Sequence, residues 1–145
     1  MLLVTIRRMR SLLNIYQRNK FLKVSDSVTS LRYVGVGDLH IESITLYRDY
    51  EAGGAELLLL VREEECVENF SDVTSSIAIV GPSPWTLYED AYFMGRSACF
   101  VPSLIAGSDV SSFGYFSFDS LGYPNNAVSA VRRGCHSTNV KVYHP

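Results

Sequence analysis

An internal repeat constrains the fold of this 145-residue chain more than any other feature of its sequence. Residues 44–49 (ITLYRD) align with residues 85–90 (WTLYED) at an offset of 41 positions, and the same offset places Gly54 on Gly95. Each aromatic segment and its glycine are followed by short apolar stretches with turn residues between them, which is the pattern of β-strands. A period of about forty residues predicts that one supersecondary unit is used twice.

A second, polar block recurs three times and closes each unit. Its three copies are SDSVTS at residues 25–30, SDVTSS at residues 71–76 and NNAVSA at residues 125–130. Each block leads into a β-like segment, so a unit begins with an aromatic strand and a glycine turn and ends with a polar loop and a strand. Two complete units span residues 44–80 and 85–133, and residues 25–35 resemble the end of a third.

The composition favours one all-β domain. Apolar residues make up 47% of the chain and charged residues 19%, which is enough apolar material for a core and excludes wholesale disorder. Valine, serine, tyrosine and phenylalanine are frequent, whereas runs of helix-forming residues are scarce. The sequence has no run of 18 apolar residues, so we expect no transmembrane segment.

Charge is distributed unevenly along the chain. The net charge of -2 leaves no global basic field, so we expect no nucleic-acid partner. Six of the 13 basic residues and none of the 15 acidic residues lie in residues 1–25, which leaves a net charge of -8 on the remainder. Such a segment is typical of mitochondrial targeting, and also of a basic arm that packs against an acidic body, which is the interpretation we favour.

The reactive side chains give no sign of an enzyme. Cys66, Cys99 and Cys135 are too few and too scattered for a disulfide scaffold or a zinc site. Their odd number favours a reducing compartment, so we expect a cytoplasmic protein, while one disulfide plus a free thiol, and a mitochondrial or secreted location, stay open. The three histidines belong to no recognisable catalytic motif, and the chain has no Gly-x-Ser-x-Gly elbow and no phosphate loop.

The repeat resembles the Greek-key unit of the βγ-crystallin family. That unit carries an aromatic-x-x-x-x-(aromatic or small)-x-Gly signature and closes with a loop of the form (Asn/Asp)-(Asn/Asp)-x-x-(Ser/Thr)-Ser. The signature stands at residues 47–54 and more completely at residues 85–96, and residues 121–131 resemble the microbial and invertebrate loops. The resemblance implies an all-β fold in which two Greek-key motifs form a βγ-crystallin-type β-sandwich with an N-terminal extension.

This resemblance divides the chain into three parts. Residues 1–40 are an N-terminal extension or a partial Greek-key motif, residues 41–135 are the βγ-crystallin domain, and residues 136–145 are a C-terminal tail. Strands are expected near residues 28–34, 44–48, 55–61, 75–80, 85–89, 97–101, 113–118 and 127–132. Residues 7–23 are expected to be irregular or briefly helical.

Several side chains are assigned to the core or to the hairpins. We expect Leu46, Ile79, Trp85 and Tyr88 to be substantially buried. Tyr88 and Tyr92 are expected to pack over the second folded hairpin with their rings buried.

The resemblance also implies two calcium sites, each shared between the two motifs. Calcium takes six to eight hard oxygen ligands, which include carboxylates, carbonyls, hydroxyls and water. By position, the first site would use the carbonyls of Asp49 and Val73, the Ser75 hydroxyl, and the side chain of Asn125 or Asn126. The second would use the carbonyls of Asp90 and Ala127, the Ser129 hydroxyl and the Asp72 side chain.

Asp72 is the side chain that certainly brings a charge to these sites, so binding is expected to be weak, on the order of 10⁻⁵–10⁻³ M. The alternative is that these polar residues only form turns by bonding the neighbouring backbone. The block at residues 25–30 has no aromatic-glycine turn upstream, which favours a divergent remnant over a third site.

The predicted function is that of a non-enzymatic protein that binds calcium weakly, in a structural or stress-related role or as a calcium buffer. The alternative is an interaction module for a protein, a membrane or a glycan in which calcium is incidental. A homodimer, or a partner subunit bound through the N-terminal region, is left open.

Overall fold

Thirteen strands account for most of the regular structure in the part of the chain that the computed structural model describes. The described residues are 2–6, 9–13, 28–105, 107 and 111–144, and side chains are described from Tyr33 onward. The strands form three sheets, and the same residues contain a 3₁₀ helix at Glu68–Phe70 and an α-helix, α1, at Phe118–Leu121.

An antiparallel sheet of three strands lies before the repeat. It contains β1 (Leu2–Ile6), β2 (Met9–Leu13) and β3 (Val28–Tyr33), in the order β2-β1-β3. β3 confirms the strand expected at residues 28–34. The expectation for residues 7–23 is wrong over β2, because β2 pairs with β1 along its whole length and local spacing does not show that partner. Residues 14–23 and residues 25–27 of the first polar block lie outside the described residues.

The first sheet of the sandwich has five strands. They are β4 (Ser43–Tyr47), β5 (Glu56–Leu59), β7 (Ser76–Val80), β10 (Ser103–Leu104) and β11 (Ser112–Ser117), in the order β10-β11-β7-β4-β5. Every residue of β4 and β7 is buried. Both strands lie inside the sheet, and their two faces belong to two different apolar clusters, which explains why their sequences are nearly continuous apolar runs.

The second sheet of the sandwich also has five strands. They are β6 (Glu63–Glu64), β8 (Trp85–Asp90), β9 (Met94–Val101), β12 (Ala130–Arg133) and β13 (Val140–Val142), in the order β13-β9-β8-β12-β6. β13 comes from the segment assigned to a C-terminal tail and pairs in parallel with β9. A disulfide between Cys99 of β9 and Cys135 crosslinks the segment that leads to β13, while Cys66 is a free thiol.

Each Greek key contributes strands to the other key's sheet. β6 belongs to the first motif but pairs with β12 of the second, and β11 belongs to the second motif but pairs with β7 of the first. The main core accordingly draws on both sheets, with Ile44, Ile79, Leu87 and Phe100 among its members. One motif alone cannot cover both faces of its sheet, so the two motifs fold as one sandwich.

An aromatic group fills the interior of the sandwich. The Phe100 ring lies 5.0 Å from Phe116, 5.9 Å from Phe118 and 5.5 Å from Tyr123, measured between ring centroids. Phe100 and Phe118 are 0% exposed, so this group is shielded from solvent. Edge-to-face and tilted pairs of this kind add to the stability that comes from burial.

The side chains assigned to the core are buried as expected. Leu46, Ile79 and Trp85 are 0% exposed and Tyr88 is 7% exposed. The Tyr47 ring is also buried, and its hydroxyl accepts a hydrogen bond from the Gly35 amide at 2.7 Å. That bond ties the segment after β3 to the first motif.

Candidate metal sites

The two folded hairpins of the repeat have the same unusual backbone. The β4–β5 hairpin places Glu51, Ala52 and Gly54 at φ values of 57°, 55° and 68°, and the β8–β9 hairpin places Tyr92, Phe93 and Gly95 at 58°, 62° and 75°. Residues other than glycine rarely adopt positive φ. Two of them in a row, with a positive-φ glycine two positions later, therefore define a specific and costly turn. The 41-residue repeat of the sequence is therefore also a repeat of backbone conformation.

The packing over the second hairpin differs from the prediction by one residue. Tyr92 is 69% exposed, so its expected burial is wrong. Phe93 takes that place instead and packs edge-on against Tyr88 with ring centroids 5.4 Å apart. The corresponding residue of the first hairpin, Ala52, is fully buried. The pair of positive-φ residues sets which side chain turns inward, and sequence spacing does not show that conformation.

A glycine substitution tests the hairpin geometry. Gly54→Ala is expected to reduce the free energy of unfolding by about 1–2 kcal/mol, because a Cβ at φ +68° would be strained and would lie 2.7 Å from Asp49 Oδ2. Gly37→Ala is the matched control, since nothing lies within 4 Å of a Cβ built there. Equilibrium urea denaturation of the two variants measures the difference, and equal stability of both would contradict the assigned hairpin conformation.

The polar loops at residues 71–76 and 125–130 are held by matching hydrogen bonds. The Ser75 amide donates to the Tyr47 carbonyl and the Ser129 amide donates to the Tyr88 carbonyl, both at 2.9 Å. Each loop is thereby fixed against the aromatic strand of its own motif. These contacts place the Ser75 and Ser129 hydroxyls at equivalent positions beside the two hairpins.

The same loops also bond to each other across a pseudo-twofold axis. The Asp72 amide donates to the Val128 carbonyl at 3.1 Å, and the Asn126 amide donates to the Thr74 carbonyl at 3.0 Å. Asp72 and Asn126 both have positive φ, at 57° and 54°, which short polar side chains tolerate. Each loop therefore presents a polar side chain to the other loop.

The first predicted site brings Ser75 and Asn126 together. Ser75 Oγ lies 3.4 Å from Asn126 Oδ1, which is long for a hydroxyl hydrogen bond. The Asp49 carbonyl accepts a hydrogen bond from Ser76 Oγ at 2.7 Å. Of the two amides, Asn126 is the one with a described side-chain contact to Ser75, so it is favoured over Asn125.

The second predicted site brings Ser129 and Asp72 together in the same way. Ser129 Oγ lies 3.4 Å from Asp72 Oδ1. Ser129 Oγ also lies 2.8 Å from the hydroxyl of Ser71, a residue that the sequence did not place in the site. Ser71 occupies the position at which the polar-loop pattern has Asn or Asp. That position is the sequence signal that could have identified Ser71 as a site residue. Asp90 lies at the hairpin end of β8, and its carboxylate occupies the space that a Cβ atom on residue 95 would need if Gly95 were replaced.

Two carbonyls assigned to the sites are available as ligands. The carbonyls of Val73 and Ala127, which occupy equivalent positions in the two loops, accept no hydrogen bond from the described residues. Thr74 Oγ1, in the loop at residues 71–76, is buried and has no partner among those residues. Burial raises the pKa of Tyr123 to about 12, so this phenol stays neutral and supplies no anionic oxygen.

The side chains of the described residues do not form a metal cluster of the histidine, cysteine and carboxylate type. The predicted sites differ from such clusters, since they combine carbonyls, hydroxyls and amides with at most one carboxylate each. That donor set consists of the hard oxygens that calcium prefers.

Comparison with known proteins shows which solved structures share this architecture. No protein-family model matches the sequence, and the curated proteins gave no match. Among solved structures, a βγ-crystallin from an archaeon matches with a TM-score of 0.51 and 24% identity over 63% of this chain and 96% of that chain. A βγ-crystallin from Ciona intestinalis matches with a TM-score of 0.50 and 29% identity over 63% of this chain and 98% of that chain. The chain has the βγ-crystallin fold.

The relationship confirms the predicted fold class and the resemblance read from the repeat. The βγ-crystallin likeness covers almost the full length of each matched structure, so this chain contains a whole unit of that fold together with additional residues. The described residues contain no helix whose length and hydropathy would allow it to span a membrane.

Proposed function

We propose that the chain is a non-enzymatic βγ-crystallin-type protein that binds calcium weakly at two sites shared between its Greek-key motifs. The observation that carries this proposal is the matched pair of 3.4 Å oxygen–oxygen contacts, Ser75 to Asn126 and Ser129 to Asp72. Two oxygens that bind one calcium ion at 2.3–2.6 Å and at a right angle lie about 3.3–3.7 Å apart. Oxygens at this separation fit a shared cation better than a direct hydrogen bond.

The donor set also fits calcium. Each site offers one hydroxyl, one side-chain oxygen from the other loop and one carbonyl that accepts no hydrogen bond from the described residues. Water would complete the six to eight ligands that calcium requires. When bound, the ion would bridge the two loops and so stabilise the folded sandwich by mass action. A structural or stress-related role, or calcium buffering, follows from such binding.

A calcium titration of the unmodified protein tests the proposal. Titration calorimetry is expected to give Kd values on the order of 10⁻⁵–10⁻³ M, and thermal unfolding is expected to shift to higher temperature as calcium is added. Magnesium is the control ion, because its strict octahedral geometry and tightly held water suit these loops poorly. Absence of both heat and stabilisation at millimolar calcium would show that the loops are only turns.

The Cys99–Cys135 disulfide supports the absence of catalysis and also bears on the compartment. Cys135 is in a disulfide, so the adjacent cysteine and histidine at positions 135 and 136 do not form a thiol–imidazole pair. The same disulfide favours an oxidising compartment over the cytoplasm expected from the odd cysteine count. A secreted location, which the sequence left open, fits this disulfide better than the cytoplasm does.

The interaction-module alternative is favoured by one surface. β5 is an edge strand of the first sheet, and the exposed apolar residues Leu58, Leu60 and Val61 lie on it or directly after it. Exposed edges with apolar side chains are places where another chain adds to a sheet. Sedimentation of the protein with and without calcium distinguishes a self-associating module from a calcium-binding monomer.

A further inference from the structure

A polar cleft lies beside the edge of the second sheet, on residues that the calcium sites do not use. It has a volume of about 650 Å³, which is in the range of small-molecule sites. Its wall contains three arginines, Arg62, Arg132 and Arg133, together with Glu42, Glu63, Ser83, Pro84, Gly134 and His136. We call this the arginine cleft.

Backbone hydrogen bonds fix the wall of the arginine cleft. The Arg133 amide donates to the Arg62 carbonyl at 2.7 Å, and the Gly134 amide donates to the Pro84 carbonyl at 2.8 Å. Thr86 Oγ1 donates to the Gly134 carbonyl and accepts from the His136 amide. The Cys99–Cys135 disulfide lies in the same segment. The arginines are therefore carried by a rigid frame, which lowers the entropic cost of binding a ligand.

The guanidinium groups are only partly neutralised. Glu63 Oε2 pairs with Arg132 Nε at 3.1 Å, and Glu42 Oε2 pairs with Arg133 Nη1 at 2.7 Å. Arg62 forms no ion pair with any residue that the structure describes. Three guanidinium groups against two carboxylates leave a net positive charge here, although the chain beyond residue 25 is strongly acidic.

Arg133 has one donor that no described residue satisfies. Its guanidinium lies over the Trp85 ring, with Cζ 5.2 Å from the centroid, and its Nε is buried with no hydrogen-bond partner among the described residues. A buried donor on a charged group without a partner is costly, and such groups are rare unless they serve a ligand or water. Glu42 does not bond to Arg133 Nε. Its Oε2 pairs with Arg133 Nη1, and its Oε1 accepts a hydrogen bond from Ser83 Oγ at 2.9 Å.

We propose that the arginine cleft binds a small molecule through a tetrahedral oxyanion group, that of a phosphate or sulfate ester. Guanidinium groups recognise such oxyanions with paired, charge-assisted hydrogen bonds. A tetrahedral oxyanion offers more acceptor oxygens than a carboxylate, and its negative charge complements the net charge of +1 that three arginines and two glutamates give the cleft. The binding is independent of calcium and uses no residue of the two calcium sites.

Titration with inorganic phosphate, pyrophosphate and sulfate in calcium-free buffer of low ionic strength tests this proposal. Trp85 is the single tryptophan of the chain, and Arg133 lies against its ring, so its fluorescence is expected to change as the cleft fills. Calorimetry gives the affinity. A preference for phosphate identifies a phosphorylated ligand, and a preference for sulfate identifies a sulfated one.

Two substitutions are expected to act in opposite directions. Arg62→Gln should weaken binding of the preferred ion by about tenfold to a hundredfold through loss of a charged donor. Glu63→Gln should strengthen it by roughly two- to tenfold, because a carboxylate that repels the ion is removed. Neither change should unfold the protein, since Arg62 is exposed and the Glu63–Arg132 pair is a surface ion pair.

Arg48→Gln is the matched control, because Arg48 is an exposed arginine outside the cleft. It should leave the affinity unchanged. The proposal is overturned if the unmodified protein binds none of the three ions at up to about 10 mM, which corresponds to a Kd too weak for a specific site. It is also overturned if Arg62→Gln and Arg48→Gln weaken binding equally.

Discussion

Replacing Ser129 by arginine is expected to abolish calcium binding at the site that contains Asp72. The substitution removes a hydroxyl ligand and places a cation where the ion would bind, 3.4 Å from the Asp72 carboxylate in the unmodified protein. A site filled at a hundredfold excess over its Kd stabilises the fold by about 2.7 kcal/mol, and this contribution should disappear. Calorimetry should show one site in place of two, and the calcium-dependent rise in Tm should shrink.

Matched variants separate loss of the site from loss of the fold. Ser75→Arg should remove the other site and leave the Asp72 site in place. Asp72→Asn is a milder change of an exposed side chain that removes only the charge, and it should weaken the same site as Ser129→Arg. Ser120→Arg, on the exposed face of α1, should change neither site. Unchanged calcium stoichiometry in Ser129→Arg would count against the proposed sites.

The two sites are also expected to differ in strength. The Asp72 site has a formal negative charge and, in the structure, a second hydroxyl from Ser71 at 2.8 Å from Ser129 Oγ. The other site relies on the neutral amide of Asn126. More charged ligands give tighter calcium binding, so Ser129→Arg should cost more stabilisation at low calcium than Ser75→Arg.

Phe100→Ala is expected to have the largest effect on the fold itself. The Phe100 ring contacts Phe116, Phe118 and Tyr123 and is 0% exposed, so its removal leaves a cavity at the centre of the aromatic group. Substitutions of this type cost about 3–5 kcal/mol. Urea denaturation should show the loss as a lower midpoint with an unchanged slope.

A surface variant is the control for the Phe100 measurement. Tyr92→Ala removes an aromatic ring of similar size that is 69% exposed, and it should change the free energy of unfolding by less than about 0.5 kcal/mol. Similar losses in both variants would show that Phe100 does not occupy the core position assigned to it.

Local repetition is what made the fold predictable from sequence. The repeated aromatic segments became β4 and β8, and the assigned core residues, such as Trp85 and Ile79, are buried. The exchange of strands between motifs was not predictable, because β6 is two residues long and is defined by its pairing with β12. β13 was missed because its partner, β9, lies far earlier in the chain. β2 was missed although its partner, β1, is its neighbour in sequence, because residues 7–23 were expected to be irregular or briefly helical.

The pairing of the two polar loops was predictable from the sequence more than their individual contacts. The structure brings together Ser75 with Asn126 and Ser129 with Asp72, as the polar loops indicated. It adds the Ser71 hydroxyl, which replaces the expected Asn or Asp with another oxygen. Phe93 took the place assigned to Tyr92 because the inward side chain depends on two consecutive positive-φ residues, a conformation that residue type alone does not specify.

The reciprocal bonds between the polar loops have a consequence for how such a protein can arise. The Asp72 and Asn126 amides are each satisfied by a carbonyl from the other half of the repeat. A single ancestral unit would have left that donor and its sheet face unsatisfied, so it would have needed a second copy of itself to fold. Gene duplication and fusion would then have converted an obligate dimer into one chain, after which the two halves were free to diverge in sequence but not to separate.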